Sequence, residues 1–159
     1  MRYLCTNCSY IYDEALGDAL EGIASGTLFD DLGEDFVCPS CYEEKENFQE
    51  IKEEINYPYD NKGNLSALEK EHYINYSLEN DVLKVYVGKD EEHPMEEGHF
   101  IACIALFDEN DEKIEEKFLS PEDDCIAEFD IQYLDEFEIK IYCSLHLWWG
   151  SGKININSL

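Results

Sequence analysis

The chain has 159 residues, 44% hydrophobic and 13% aromatic, enough apolar material for a core in one domain or two small ones. Its formal net charge is −27, spread over both halves: residues 1–56 hold 14 acids against 3 bases, and residues 57–159 hold 24 against 8. That balance excludes nucleic acid as a natural partner. No apolar leader follows Met1 and no run is long enough to span a bilayer, so a cytoplasmic protein away from membranes is expected. In that compartment seven cysteines argue for metal ligation and thiols over disulfides.

The first quarter carries two cysteine pairs, Cys5-x-x-Cys8 and Cys38-Pro39-x-Cys41. Two such knuckles supply four thiolates at tetrahedral corners, a donor set that selects zinc or iron. Spacing alone leaves both open. Tyr3, Tyr10, Tyr12, Phe29, Phe36 and Phe48 are expected to form the aromatic core beside the metal. From Glu43 to Ile55, apolar residues at 48, 51 and 55 have a helical spacing and predict at most a short helix. Tyr57 to Asn64 is turn-rich and reads as a connector.

Beyond residue 72 the pattern is of strands separated by polar turns. Expected strands are Tyr73–Glu79, Val82–Gly88, Phe100–Phe107, Lys113–Leu119, Cys125–Phe129 and Phe137–Cys143, the first two joined through Asn80-Asp81 as a hairpin. Six or more short strands favour a β-sandwich, and the acidic runs at 108–112 and 122–124 read as solvated turns. Phe137, Ile139, Ile141 and Cys143 share one apolar strand face. Cys103 and Cys125 read as buried cysteines of the core.

The four histidines all fall in this part. His93 and His99 flank Pro94 and Gly98, which fix and free the backbone so that a short loop can fold back and aim both rings at one centre. His146 closes Cys143-Ser144-Leu145-His146, and His72 stands upstream, so all four can serve one site together with the Cys143 thiolate.

Residues Tyr3 to Phe48 resemble rubredoxin. The opening Tyr3-Leu4-Cys5-Thr6-Asn7-Cys8-Ser9-Tyr10-Ile11-Tyr12-Asp13, the middle Gly22–Leu32 and the close Asp35-Phe36-Val37-Cys38-Pro39-Ser40-Cys41 follow that family's pattern. The resemblance implies one iron on Cys5, Cys8, Cys38 and Cys41, acting as a one-electron carrier. Ser9 and Tyr42 stand where the family has glycine, which is costly if those positions need φ > 0, and Phe36 stands where it often has tryptophan.

Residues Glu69 to Gly150 resemble the iron domain of desulfoferrodoxin and neelaredoxin, the superoxide reductases. The motifs are His93-Pro94-Met95-Glu96-Glu97-Gly98-His99 and Cys143-Ser144-Leu145-His146, followed by Trp148 and preceded by His72. The resemblance implies a seven-stranded immunoglobulin-like sandwich and a second iron held by His72, His93, His99, His146 and Cys143. It further implies reduction of superoxide to hydrogen peroxide, with the rubredoxin-type iron relaying electrons from a rubredoxin reductase or similar donor. The alternative is a two-iron electron carrier or redox sensor without efficient superoxide chemistry. A homo-oligomer is compatible with either.

In place of the family's Glu-Lys-His-x-Pro, this chain has Lys70-Glu71-His72-Tyr73-Ile74. An extended segment would project Lys70 and His72 to the same side, with Lys70 facing the iron and Glu71 available as the carboxylate. The expected organisation is all-β: a rubredoxin-like domain over 1–55, a linker over 56–68 and a superoxide-reductase-like sandwich over 69–159.

Overall fold

A computed structural model describes residues 1–52, 54–58 and 63–158; residues 59–62 of the expected connector lie outside it. The chain divides into two compact units, Met1–Glu53 and Glu54–Leu159.

The first unit is a three-stranded antiparallel sheet with β1 (Arg2–Cys5) between β2 (Ile11–Asp13) and β3 (Phe48–Ile51). Its core is Cys5, Tyr12, Phe29, Leu32, Cys38 and Phe48, with Tyr3, Tyr10 and Phe36 packed against it. Tyr3 stacks on Phe29 at 4.1 Å between ring centroids. Glu14 ties the ends together, bonding the Met1 ammonium at 2.7 Å and accepting from the Phe29 amide at 2.9 Å. The helical expectation after Glu43 is corrected: Lys45–Asn47 make one 3-10 turn, and Phe48 opens a strand paired with Cys5. Pairing to β1 outweighs a weak local periodicity.

The second unit is a sandwich of seven strands. One sheet has the order β10-β9-β6-β7 and the other β4-β5-β8, all pairs antiparallel. The strands are β4 (Ile74–Glu79), β5 (Val82–Val87), β6 (Ile101–Asp108), β7 (Lys113–Phe118), β8 (Ile126–Asp130), β9 (Glu136–Cys143) and β10 (Leu147–Asn155). Strict alternation in β5 buries Leu83, Val85 and Val87 in one core with Phe137, Ile139 and Ile141 of β9. Asn80 and Asp81 both have positive φ, 49° and 64°, the conformation a two-residue hairpin needs. Cys103 and Cys125 are buried, as expected.

One helix, α1 (Ala67–Glu71), precedes β4. Ser66 Oγ accepts from the Glu69 amide while the Glu69 carboxylate accepts from the Ser66 amide, a reciprocal capping box that makes so short a helix viable. Lys70 and Glu71 are therefore helical, not extended, with His72 as the cap, and the side chains of Lys70 and His72 do not share a side. Among the described residues no helix is long and apolar enough to cross a membrane.

Candidate metal centres

In the first unit the two knuckles repeat one hydrogen-bond scheme. The Ser9 amide donates to Cys5 O at 3.0 Å and the Tyr42 amide to Cys38 O at 2.8 Å, while the Cys5 and Cys38 amides donate to Tyr10 O and Glu43 O, both at 2.8 Å. These turns bring Cys8 Sγ to 3.5 Å from Cys38 Sγ and Cys5 Sγ to 3.7 Å from Cys41 Sγ. A tetrahedron with metal–sulfur bonds of ~2.3 Å has edges of about 3.7 Å, so the four sulfurs already stand at ligating separations. Burial pushes the Cys38 thiol up to about 12, whereas the Tyr10 amide pulls exposed Cys8 down to about 7. A shared cation would favour the thiolate at all four.

Closing each knuckle requires a left-handed residue immediately after its second cysteine, and Ser9 (φ 65°) and Tyr42 (φ 61°) fill those places. Each such conformation costs an L-residue about 1–2 kcal/mol. Tyr42 is 77% exposed, so its ring returns little through packing. Tyr42→Gly and Ser9→Gly are each expected to raise the stability of the metal-loaded protein by about 0.5–1 kcal/mol after the entropy cost of glycine. Denaturant midpoints at unchanged m would measure it.

The second centre is assembled from three loops and the end of one strand. His72 is the C-cap of α1, and its Nδ1 donates to Leu68 O at 2.8 Å. His93 Nδ1 donates to Pro94 O at 2.7 Å. With both Nδ1 atoms facing carbonyl acceptors, the protons sit there and both Nε2 atoms carry lone pairs. Yet the two Nε2 atoms lie 3.3 Å apart, an arrangement that repels unless a cation lies against both. His99 enters through a tight reversal in which the Glu96 and His99 amides each donate to the other's carbonyl, at 3.0 and 2.9 Å, with Gly98 at φ 86°. His146 sits in the turn between β9 and β10. Leu147, directly after it, is held at φ 64°, so three positive-φ residues in this chain each follow a candidate ligand.

The four imidazoles close a ring. His72–His93, His93–His99, His99–His146 and His146–His72 have centroids 4.8–4.9 Å apart and cross at 72–89°. One ring nitrogen each from His72, His93 and His99 lies within 4.8 Å of the others and of Cys143 Sγ. Cys143 Sγ is 3.7 Å from His146 Nδ1 and accepts from the His146 amide at 3.4 Å. Burial lowers the pKa of His72 and takes His93 down to about 4, which disfavours the imidazolium form that cannot ligate. Burial raises the Cys143 thiol, the amides of Leu145 and His146 lower it, and Glu71 raises it.

Glu71 belongs to this cluster. Its Oε1 is 3.0 Å from His99 Nε2 and 3.8 Å from both His93 Nε2 and His146 Nδ1. Even so, Glu71 Oε1 and His99 Nε2 are both buried without a well-formed hydrogen bond. Two orphaned polar atoms among lone-pair nitrogens form a donor set that a cation satisfies. Lys70 is not brought to the centre: its Nζ bonds Asp90 Oδ2 at 2.8 Å with the side chain 42% exposed. That pair lines a groove of about 360 Å³ together with Glu71, Glu91, Glu92 and Pro94.

Sequence reasoning misses Trp149. It stacks on His72 at 4.5 Å and 16°, and its Nε1 donates to His146 O at 3.1 Å. Its position three residues after the last histidine is the only signal in the sequence.

The rubredoxin family profile matches residues 2–48, and the desulfoferrodoxin profile matches residues 66–152, more than half of the chain. The chain belongs to the desulfoferrodoxin family. Its first unit is 51% identical over 47 residues to Rubredoxin-2 of Alcanivorax borkumensis, covering 30% of this chain and 27% of that protein. It is 50% identical over 50 residues to the high molecular weight rubredoxin of Moorella thermoacetica, covering 31% and 22%. The chain spans less than a third of the length of these curated relatives. A point variant of the superoxide reductase (neelaredoxin) from Ignicoccus hospitalis superposes with a TM-score of 0.50 at 22% identity, over 64% of this chain and 92% of that one; the likeness is one of fold. The two donor sets, four cysteines in the first unit and four histidines with one cysteine in the second, match two mononuclear irons.

Proposed function

We propose that this desulfoferrodoxin-family chain is a superoxide reductase, with Met1–Glu53 as its electron-relay domain and Glu54–Leu159 as its catalytic domain. The observation that carries the reading is the closed ring of four imidazoles beside the Cys143 thiol, with two orphaned polar atoms among them. Ferrous iron bound there would supply one electron, and with two protons superoxide leaves as hydrogen peroxide. The chain's residues prepare that step. Leu68 O and Pro94 O fix the tautomers of His72 and His93 so that Nε2 faces inward. Cys143, buried at the end of β9 with its sulfur accepting from the His146 amide, would supply a thiolate to the bound iron. The second domain would take its electrons from the Cys5, Cys8, Cys38 and Cys41 centre, itself reduced by a rubredoxin reductase or similar donor.

One observation favours the alternative, a two-iron electron carrier or redox sensor. Glu71 points its carboxylate into the imidazole ring while Lys70 turns away to Asp90, so an anion meets negative charge where the family pattern offers a lysine. Mixing pulse-generated superoxide with the anaerobic ferrous protein separates the two. A reductase oxidises its histidine-bound iron rapidly and in proportion to superoxide, yielding peroxide; a rate no better than that of free ferrous ion leaves the carrier.

A further inference from the structure

The segment Glu54–Pro58 lies outside both family profiles, which match 2–48 and 66–152, yet it is bonded to the strand behind the second metal centre. β10 is the edge strand of its sheet. Against its free edge, the Asn56 amide donates to Trp148 O at 2.9 Å, the Gly150 amide donates to Asn56 O at 2.8 Å, and Asn56 Nδ2 adds a bond to Trp148 O at 3.1 Å. Asn56 thus forms a parallel bridge with Trp149. Tyr57 follows and lies flush on Gly150: a Cβ there would come within 2.5 Å of its ring. The buried carboxylate of Glu138 faces the same glycine, its Oε1 2.8 Å from where that Cβ would stand, and the buried Lys140 Nζ is 3.8 Å from its Oε2.

Between these two anchors stands Trp149. Its backbone is held by the strap, its indole lies flat on His72, and its Nε1 holds the carbonyl of His146. β9 pairs Trp148–Gly150 from one side only, so without the strap this stretch loses its second set of hydrogen bonds, and any shift of it would carry two imidazoles with it. We propose that Asn56 and Tyr57 are positioning residues for the second metal centre: the strap pins the edge of β10 so that Trp149 keeps His72 and His146 in their ligating orientation. The inference rests on reading the histidine and Cys143 cluster as an iron site.

The sequence offers a selective reporter, because its two tryptophans, Trp148 and Trp149, both lie on β10. The whole 159-residue chain is loaded with ferrous iron, mixed with a chelator, and metal loss from the second centre is followed by recovery of tryptophan fluorescence. Asn56→Pro, which removes both donors to Trp148 O, and Tyr57→Ala are each expected to speed release about tenfold while the protein stays folded. Tyr57→Phe keeps the ring on Gly150 and should release metal at close to the parent rate. Leu78→Ala, which trims a core contact at the hairpin end of β4, should lower the unfolding midpoint without speeding release. Should Asn56→Pro not fold, Tyr57→Ala against Tyr57→Phe carries the same comparison. Equal release rates for Tyr57→Ala and the parent, or release that tracks the unfolding midpoint across all variants, would overturn the inference. A parent protein whose tryptophan signal ignores ferrous iron would instead overturn the metal-site reading, and the inference with it.

Discussion

Stripping metal from the 159-residue chain is expected to unfold Met1–Glu53 while Glu54–Leu159 keeps its tertiary structure. Among the described residues the buried apolar cluster of the first unit has six members, and two of them, Cys5 and Cys38, are candidate ligands. A domain of that size buries too little apolar surface to hold itself together; below roughly 60 residues metals or disulfides commonly make up the difference. It also carries Ser9 and Tyr42 in left-handed conformations that work against it. Structural metal binding by thiolate sites is worth on the order of 10 kcal/mol, more than such a core supplies. Without the cation, four sulfurs within 3.5–3.7 Å of a neighbour would have to sit together as thiols, with Cys38 buried.

The second unit differs in the size of its core. Phe129, Phe137, Leu83, Leu106 and the buried isoleucines and valines of the two sheets need no metal to stay packed. Chelation should therefore produce two transitions. The signals of Tyr3, Tyr10, Tyr12 and Tyr42 and part of the far-ultraviolet circular dichroism are lost first, while tryptophan emission, which arises only from β10, reports a second unit that melts later. A single cooperative transition, unmoved by chelator, would mean that the aromatic cluster around Phe29 holds the first unit by itself.

The metal centres were legible in the sequence because their chemistry is carried by rare residues at fixed spacings. Seven cysteines and four histidines leave few ways to be grouped, and Cys143 three residues before His146 links a strand end to a loop. The strands of the sandwich were legible where one face is buried, as in β5, and where an apolar run is long, as in β9. What stayed hidden depends on contacts across the chain. Phe48 and Ile51 are three apart and mimic a helix, yet their partners are Cys5 and Arg2 in β1. Helix α1 is too short for periodicity to register, and only the Ser66 and Glu69 pair announces it. β10 carries a register shift between Gly150 and Lys153, which erases alternation. The contacts of Asn56 with Trp148 span 92 positions, and no local pattern encodes them.

The position of Lys70 follows from the same helix, and it makes Glu71 the residue with the larger expected effect. Glu71→Ala should speed the approach of superoxide, and of azide as a stable anionic probe of the ferric site, by about tenfold or more, a change of ~1.4 kcal/mol per factor of ten. The carboxylate stands 3.0 Å from His99 Nε2 and 3.8 Å from two further imidazoles, so it occupies space and carries charge where an anion would approach iron held at the proposed site. Removing it relieves both obstacles. Glu71→Gln separates them, since it keeps the bulk and drops the charge, and an intermediate gain would assign the remainder to steric access. Lys70→Ala should change the rate less than about twofold, because its ammonium is paired with Asp90 at a half-exposed position where solvent screens it. Stopped-flow mixing with azide at several ionic strengths reads all three variants. A slower reaction for Glu71→Ala would mean that the carboxylate assists the anion instead of excluding it, and the inverted Lys70-Glu71 order would then be a working replacement for the family's own.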